Sequence, residues 1–182
     1  MHELENFFED IDGLKHSERQ GWKDLELDRP LDTIASHSFG ASLIGWKLAE
    51  DEGLDSDRVM KMLLMHDLIM AYIEDVTPED EDFESKKERE DEMFESLLEN
   101  VPESIRDEFS DLFQEFRENN TKEAEIAHEA DKIDTLLQAH KYSKEEEENY
   151  LKEFLDSYKE YFKSETGKNI YSNLEDKSRD KN

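Results

Sequence analysis

The chain has 182 residues and no cysteine, which excludes disulfides, thiolate zinc sites and cysteine nucleophiles. Its 51 acidic and 23 basic residues give a formal net charge of −28, which disfavours binding to nucleic acid polymers and to anionic membranes. No apolar run reaches the roughly 20 residues that span a bilayer, and the segment "MHELENFFEDIDGLKHSE" is too acidic for a secretory signal. We therefore expect a cytoplasmic protein.

The acidic excess is spread along the chain and is not confined to a tail. Residues 1–75 hold 18 acidic and 7 basic side chains, and residues 76–182 hold 33 and 16. Such a surface indicates a high-salt habitat, because concentrated salt screens the repulsion between like charges within a few ångströms. The 16 lysines favour an ordinary acidic cytoplasmic protein instead. Both interpretations stay open.

Few residues interrupt a helical pattern, since the chain has only six glycines and three prolines. No stretch alternates apolar and polar residues for long enough to form a strand, so we predict an all-α helical bundle. In chain order the predicted helices cover residues 3–15, 36–52, 56–73, 82–100, 103–119, 121–142 and 144–164. A loop is predicted between the first two of them.

Several of these predicted helices have sequence signals at their ends. Gly53 follows the second helix, where a left-handed residue commonly ends a helix. Ser143 and Glu146 have the spacing of a capping box that opens the last helix. We predict that this helix stops near Gly167, which gives one domain over residues 1–167 and a flexible tail over residues 168–182.

A histidine and an aspartate stand side by side in the apolar stretch "LLMHDLIM", at His66 and Asp67. Neighbouring residues of an α-helix point about 100° apart, so both reach one ion only if other helices supply the remaining ligands. His37 in the second helix and Asp131 in the sixth are candidates. Two imidazoles and two carboxylates suit Mn, Fe, Co, Ni, Mg or Zn. A His-Asp pair is also common by chance, so these residues alone leave a purely structural bundle open.

The order of these residues resembles the H…HD…D signature of the HD superfamily of metal-dependent phosphohydrolases. The stretches "DTIASHSFG", "HDLIMAYIEDVTP" and "EAEIAHEADKIDTLLQA" are similar to the 5′-deoxynucleotidase branch of that superfamily, as are "RQGW" and "KKEREDEM". The resemblance covers about residues 10–142. It implies an HD-domain helical bundle that hydrolyses deoxynucleoside 5′-monophosphates, and a homodimer.

The resemblance also implies roles for individual residues. One divalent metal ion would be held by His37, His66, Asp67 and Asp131. Its identity is left open among Mn, Co, Fe, Ni, Mg and Zn.

Three further residues match positions that the family uses for substrate. Arg19 would contact the phosphate or sugar, Trp22 would pack near the sugar and base, and Asp75 would position or protonate the phosphate. An acidic protein that binds a phosphomonoester needs a local cation besides the metal, which agrees with Arg19. The alternative for Arg19 and Trp22 is an ordinary surface loop with its aromatic side chain packed onto the bundle.

One departure from the family pattern concerns catalysis. The family's catalytic glutamate, four residues after the motif histidine, is Met70 here, and its later glycine is Glu74. Loss of a general base costs about 10²- to 10⁴-fold in rate. Glu74 would share a helical face with Met70 if the helix continued that far, so Glu74 joins Asp75 as a candidate catalytic residue. The alternative function is a catalytically weakened metal- and nucleotide-binding protein.

The expected homodimer has one candidate surface in the sequence. The fifth predicted helix is charged, and four of its apolar residues face either the core or a second copy: Phe109, Leu112, Phe113 and Phe116.

Overall fold

The computed structural model describes residues 2–72 and 83–179 and is all-α over these two ranges, as predicted. The α-helices are α1 His2–His16, α2 Gln20–Lys23, α3 Ile34–Glu52, α4 Ser56–Met65, α5 Phe83–Asn100, α6 Glu103–Glu118, α7 Lys122–Glu145, α8 Tyr150–Tyr158 and α9 Glu165–Arg179. In the described ranges, two short 3-10 helices cover Leu68–Tyr72 and Lys159–Tyr161. Within the same ranges, none of the helices has both the length and the apolar character needed to cross a membrane.

The ends of α3 and α7 follow ordinary capping chemistry. At the start of α3 the backbone N–H of Thr33 donates to Ser36 Oγ at 2.9 Å, and the N–H of Ser36 donates to Thr33 Oγ1 at 3.2 Å. Gly53 follows α3 with φ +69°, so its predicted role at the helix end is confirmed. Thr121 caps α7 by accepting from the N–H of Ala124 at 3.1 Å.

The predicted continuous helix over residues 56–73 is wrong, because α4 ends at Met65. His66 and Asp67 form a turn, and the chain then tightens into the 3-10 helix Leu68–Tyr72, in which the N–H of Met70 donates to the carbonyl of Asp67 at 2.9 Å. In a continuous α-helix the two side chains would diverge by about 100°. The turn instead brings His66 Nε2 within 3.3 Å of Asp67 Oδ2.

The predicted capping box at Ser143 and Glu146 is also wrong. Helix α7 continues through Ser143 to Glu145, because Tyr142 and Ser143 are both buried and the N–H of Glu146 still donates to the carbonyl of Tyr142 at 2.9 Å. The Ser143 hydroxyl nevertheless supports a helix start. It accepts from the N–H of Leu151, in the first turn of α8, at 2.9 Å.

The expected flexible tail over residues 168–182 is a helix as far as the structure describes it. Helix α9 buries Leu174. The side chain of Asn149 donates to the carbonyl of Ser178 at 3.2 Å, which ties the end of α9 to the start of α8. An apolar contact and a polar contact therefore hold a segment that the sequence had indicated as a tail.

The described residues belong to two compact units. The first comprises Met1–Ser36 and Met65–Gln114. In it α1 packs against α5 and the 3-10 helix Leu68–Tyr72, and the rings of Phe94 and Phe113 stack at 4.0 Å between centroids. Three of the four candidate dimer residues, Phe109, Leu112 and Phe113, are buried, so they belong to the core and offer no surface to a second copy.

The second unit comprises His37–Leu64 and Glu115–Asn182. Helix α7 is its centre and packs against α8 and α9. Gly45 lets α3 approach α4, since a Cβ there would overlap the side chain of Leu63 and lie 3.5 Å from the Cβ of Ala130 on α7. The single domain expected over residues 1–167 stays a prediction.

Candidate metal centre

In the second unit, one imidazole lies between two carboxylates. Helix α3 carries His37 in its first turn, and α7 carries Asp131 and Asp134 three residues apart on one face. His37 Nε2 lies 3.2 Å from Asp131 Oδ1, and His37 Nδ1 lies 2.7 Å from Asp134 Oδ2. His37 and Asp131 are both buried. This unit therefore offers a shielded imidazole nitrogen beside a shielded carboxylate oxygen.

A half-buried lysine bonds the second oxygen of Asp131. Lys132 Nζ donates to Asp131 Oδ2 at 2.8 Å and lies 5.1 and 5.2 Å from the ring centroids of Tyr158 and Tyr161. Burial lowers the pKa of the Lys132 ammonium, but the attraction of Asp131 and the hydrogen bond to it outweigh that effect and raise the pKa above its usual value. The ammonium thus keeps its charge and holds Asp131 Oδ2, while Oδ1 faces His37.

In the first unit, the turn after α4 supplies the other candidate pair. His66 is buried and the side chain of Asp67 is 28% exposed, so the pair has access to solvent through its carboxylate. Met70, which replaces the expected glutamate, follows on the 3-10 helix with 36% of its surface exposed. This unit also offers one imidazole nitrogen and one carboxylate oxygen.

Arg19 and Trp22 lie together at the short helix α2. Arg19 precedes the helix, and its N–H donates to the carbonyl of Asp32 at 3.1 Å. Its guanidinium lies 5.7 Å from the ring of Trp22, which is only 1% exposed. Trp22 therefore serves as a buried platform for Arg19, and its expected contact with a nucleotide stays a prediction.

The two candidate catalytic carboxylates, Glu74 and Asp75, lie outside the residues that the structure describes. Their expected roles stay predictions.

The donors in each unit fit a divalent cation. Each unit offers an imidazole nitrogen and a carboxylate oxygen no more than 3.3 Å apart, and both imidazoles are buried. Mixed nitrogen and oxygen donors suit the divalent transition metals, and they do not select one of them.

Sequence reasoning missed Lys132, Asp134 and Gly40. The spacing of Asp131 and Asp134 put both on one face of α7, but nothing in the spacing showed that His37 lies against them. Nothing in the sequence indicated a role for Gly40, and its role follows from its contact with Asp134. A Cβ at Gly40 would overlap Asp134 Oδ1.

Comparison with known proteins identifies the family of the chain. The HD domain family matches residues 11–174. The 5′-deoxynucleotidase HDDC2 of Homo sapiens is 28% identical over 156 residues, which cover 85% of this chain and 76% of the relative. The Dictyostelium discoideum 5′-deoxynucleotidase HDDC2 is 28% identical over 181 residues, which cover 93% and 95%.

A solved structure is similar along nearly the whole length. The predicted metal-dependent phosphohydrolase of Magnetospirillum magnetotacticum is 25% identical with a TM-score of 0.72, over 98% of this chain and 92% of that one. Since the family match covers most of the sequence, the chain belongs to the HD domain family.

Proposed function

We propose that the protein is a metal-dependent phosphomonoesterase that hydrolyses deoxynucleoside 5′-monophosphates to a deoxynucleoside and phosphate. The observation that carries the proposal is the buried pair of His37 and Asp131 in a chain of the HD domain family. Relatives named 5′-deoxynucleotidases support the substrate class. We include a cytoplasmic location in the proposal.

The metal ligands in this proposal are the four residues that the family resemblance implies, His37, His66, Asp67 and Asp131. When bound, a divalent cation supplies a Lewis acid for the phosphoryl oxygen and makes water a stronger nucleophile at neutral pH. The protein's part is to supply two imidazoles and two carboxylates, which bind a cation in their neutral and ionised forms, respectively. Lys132 donates to Asp131 Oδ2, which leaves Asp131 Oδ1 on the side of His37.

Arg19 is the cation that we assign to the substrate phosphate. In a chain with a net charge of −28, a phosphomonoester is repelled unless a local positive charge receives it. Guanidinium groups match phosphate oxygens with two parallel hydrogen bonds. The Trp22 ring beneath Arg19 restricts the motion of the guanidinium, which lowers the entropy lost on binding.

We assign proton transfer at the phosphate to Asp75, with or without a contribution from Glu74. Met70 carries no titratable group, so it cannot act as a base. The alternative function, a binding protein with weakened turnover, is not favoured, because the curated relatives are named as enzymes.

Phosphate release from a panel of nucleotides tests the proposal. The four deoxynucleoside 5′-monophosphates are compared with their ribonucleotide counterparts and with a phosphodiester, after chelation and after addition of Mn, Co, Ni, Mg or Zn. We expect metal-dependent release from the deoxynucleotides and none from the diester, and Asp67→Asn should abolish it. Wild-type protein that binds metal but releases no phosphate from any monophosphate would support the binding-protein alternative.

We also propose that the chain forms a homodimer through α3. Phe39, Leu43 and Trp46 lie on one face of α3 and are exposed. Two copies with a charge of −28 each can approach closely only through an uncharged patch, and a symmetric pair uses the same patch twice. Light scattering at micromolar concentration should give about twice 21.6 kDa, and Trp46→Glu should halve it. A wild-type mass of 21.6 kDa would contradict the dimer.

A further inference from the structure

We propose that Asp134 and Gly40 together orient His37 for metal binding, so that both are positioning residues of the site. The inference deepens the proposed function and rests on it. It concerns two residues that neither the motif nor the family resemblance assigned to the metal. All three residues lie in the second unit, on α3 and α7.

The hydrogen bond to Asp134 selects one form of the His37 ring. Asp134 Oδ2 lies 2.7 Å from His37 Nδ1, and an ionised carboxylate can only accept a hydrogen bond. Nδ1 must therefore carry the hydrogen, and the Nε2 edge of the ring faces Asp131 Oδ1 at 3.2 Å. A neutral imidazole in this tautomer presents its lone pair at Nε2, the edge that lies beside the candidate ligand Asp131.

A positive charge between His37 Nε2 and Asp131 Oδ1 would stabilise both atoms. A lone pair and a carboxylate oxygen repel each other at 3.2 Å unless a proton or a cation lies between them. The bond from Nδ1 to Asp134 prevents the ring from turning to escape this repulsion. Asp134 therefore keeps the ring in an orientation that a metal ion would stabilise.

Gly40 provides the space in which Asp134 lies. It follows His37 by three residues on α3, and a Cβ there would overlap Asp134 Oδ1 and lie 3.3 Å from Asp134 Cγ. A glycine inside a helix destabilises the helix relative to alanine. At Gly40 the missing side chain lets the Asp134 carboxylate approach α3 closely, beside the His37 ring.

A second glycine of the same helix supplies the control. Gly45 also lies in α3, but a Cβ there would overlap the side chain of Leu63 and lie 3.0 Å from Val59 Cγ1. Gly45→Ala therefore disturbs apolar packing between α3 and α4 and leaves Asp134 in place. Both substitutions add one methyl group to one helix, but only Gly40→Ala displaces the carboxylate.

The test is a double-mutant cycle read by cobalt binding to the full chain. Co²⁺ affinity is measured by calorimetry, and its visible absorption spectrum at saturation reports the ligands. We expect Asp134→Ala to weaken Co²⁺ binding by about 10- to 100-fold without changing the saturated spectrum. Gly40→Ala should weaken binding in the wild-type background and have little further effect in Asp134→Ala. Gly45→Ala should lower the melting temperature with little change in affinity.

The results separate this inference from the proposed function. Equal Co²⁺ affinities of the wild type and Asp134→Ala would overturn the inference and leave the proposed function standing. A changed saturated spectrum would make Asp134 a ligand, which also contradicts a positioning role. A wild type that binds no Co²⁺ would overturn both. If Asp134→Ala does not fold, Asp134→Leu replaces it in the same comparison, because leucine fills a similar volume and cannot accept a hydrogen bond from His37 Nδ1.

Discussion

Met70 is the residue at which family resemblance and chemistry disagree most. Its N–H donates to the carbonyl of Asp67 at 2.9 Å. The 3-10 helix therefore holds the backbone of Met70 close to that of the candidate ligand Asp67. Methionine and glutamate have similar length and helix propensity, so Met70→Glu should fit without a change in the backbone. We expect this substitution to raise the rate of phosphate release about 10-fold or more, because it adds a general base for the attacking water.

The control for this prediction is Met70→Gln, which has the shape of glutamate and no titratable group. Glu74→Gln tests whether the later carboxylate has taken over the role. The prediction would be contradicted by a wild-type turnover on the order of 1 to 10³ s⁻¹, no change in rate for Met70→Glu and loss of activity for Glu74→Gln. It would assign the general base to Glu74.

Glu115 should make stability depend on pH through its pair with Arg58. Arg58 Nε donates to Glu115 Oε2 at 2.6 Å, and Thr121 Oγ1 donates to Glu115 Oε1 at 2.6 Å. Burial raises the pKa of the Glu115 carboxyl, but the hydrogen bonds from Arg58 and Thr121 outweigh it, so the pKa is lowered. The pair therefore stabilises the fold above the unfolded pKa of about 4.3, and this contribution is lost as the pH falls through the folded pKa.

Urea denaturation at pH 7 and at pH 3 measures this contribution. Glu115→Gln should destabilise the protein by about 1 kcal/mol at pH 7, a modest value because the Arg58 side chain is 40% exposed and solvent screens the pair. The difference from wild type should shrink at pH 3. Glu118→Gln, an exposed control on the same helix, should have little effect at either pH. An equal deficit for Glu115→Gln at both pH values would refute the linkage.

Individual site residues could be predicted from the sequence where they belong to a recognisable motif. His37, His66, Asp67 and Asp131 could be selected because their order along the chain matches a family pattern. Asp134 could not, because its role depends on which side chain of α3 meets α7, and spacing within one helix contains no information about another.

Helix α9 shows how one buried carboxylate organises an element. Glu129 on α7 is fully buried and accepts from the backbone N–H groups of Lys163 and Ser164 at 2.6 and 2.7 Å, and from Ser164 Oγ at 2.5 Å. A Cβ at Gly167 would overlap Glu129 Oε2. Glu129 thus satisfies backbone donors next to the start of α9 from outside the helix.

Glu129→Gln should loosen α9 and destabilise the fold by about 1–3 kcal/mol. The carboxylate accepts three hydrogen bonds on two oxygens, whereas the glutamine amide has one oxygen that accepts and an NH₂ group that only donates. Hydrogen exchange should accelerate over Glu165–Arg179. Glu125→Gln, one turn earlier on α7 with lysine partners at the surface, serves as the control and should change little. Unchanged exchange in α9 for Glu129→Gln would show that apolar burial alone holds the helix.

Most helices could be predicted from periodicity, and the failures have physical causes. The turn at His66 interrupts an apolar run that is typical of a continuous helix, and within this turn the side chains of His66 and Asp67 approach each other. Helix α9 is too charged to be predicted as a packed element, and contacts from α7 and α8, distant in sequence, hold it in place.

The charge of the whole molecule determines its response to salt. A net charge of −28 spread over the sequence produces self-repulsion that favours the unfolded chain. Molar salt reduces the Debye length to about 3 Å and screens this repulsion. We expect the melting temperature to rise by several degrees between low salt and roughly 2 M KCl. A flat or falling melting temperature would favour an ordinary acidic protein over one adapted to salt.

The central claim is that this chain uses paired imidazoles and carboxylates to bind one divalent metal for phosphomonoester hydrolysis. The most direct measurement is the metal content of the purified protein after reconstitution with Mn, Co or Ni, compared with that of Asp67→Ala. We expect about one equivalent in the wild type and a large loss in Asp67→Ala, with equal helicity by circular dichroism. A folded wild type that retains no metal after reconstitution, or an Asp67→Ala variant that retains a full equivalent, would contradict the account.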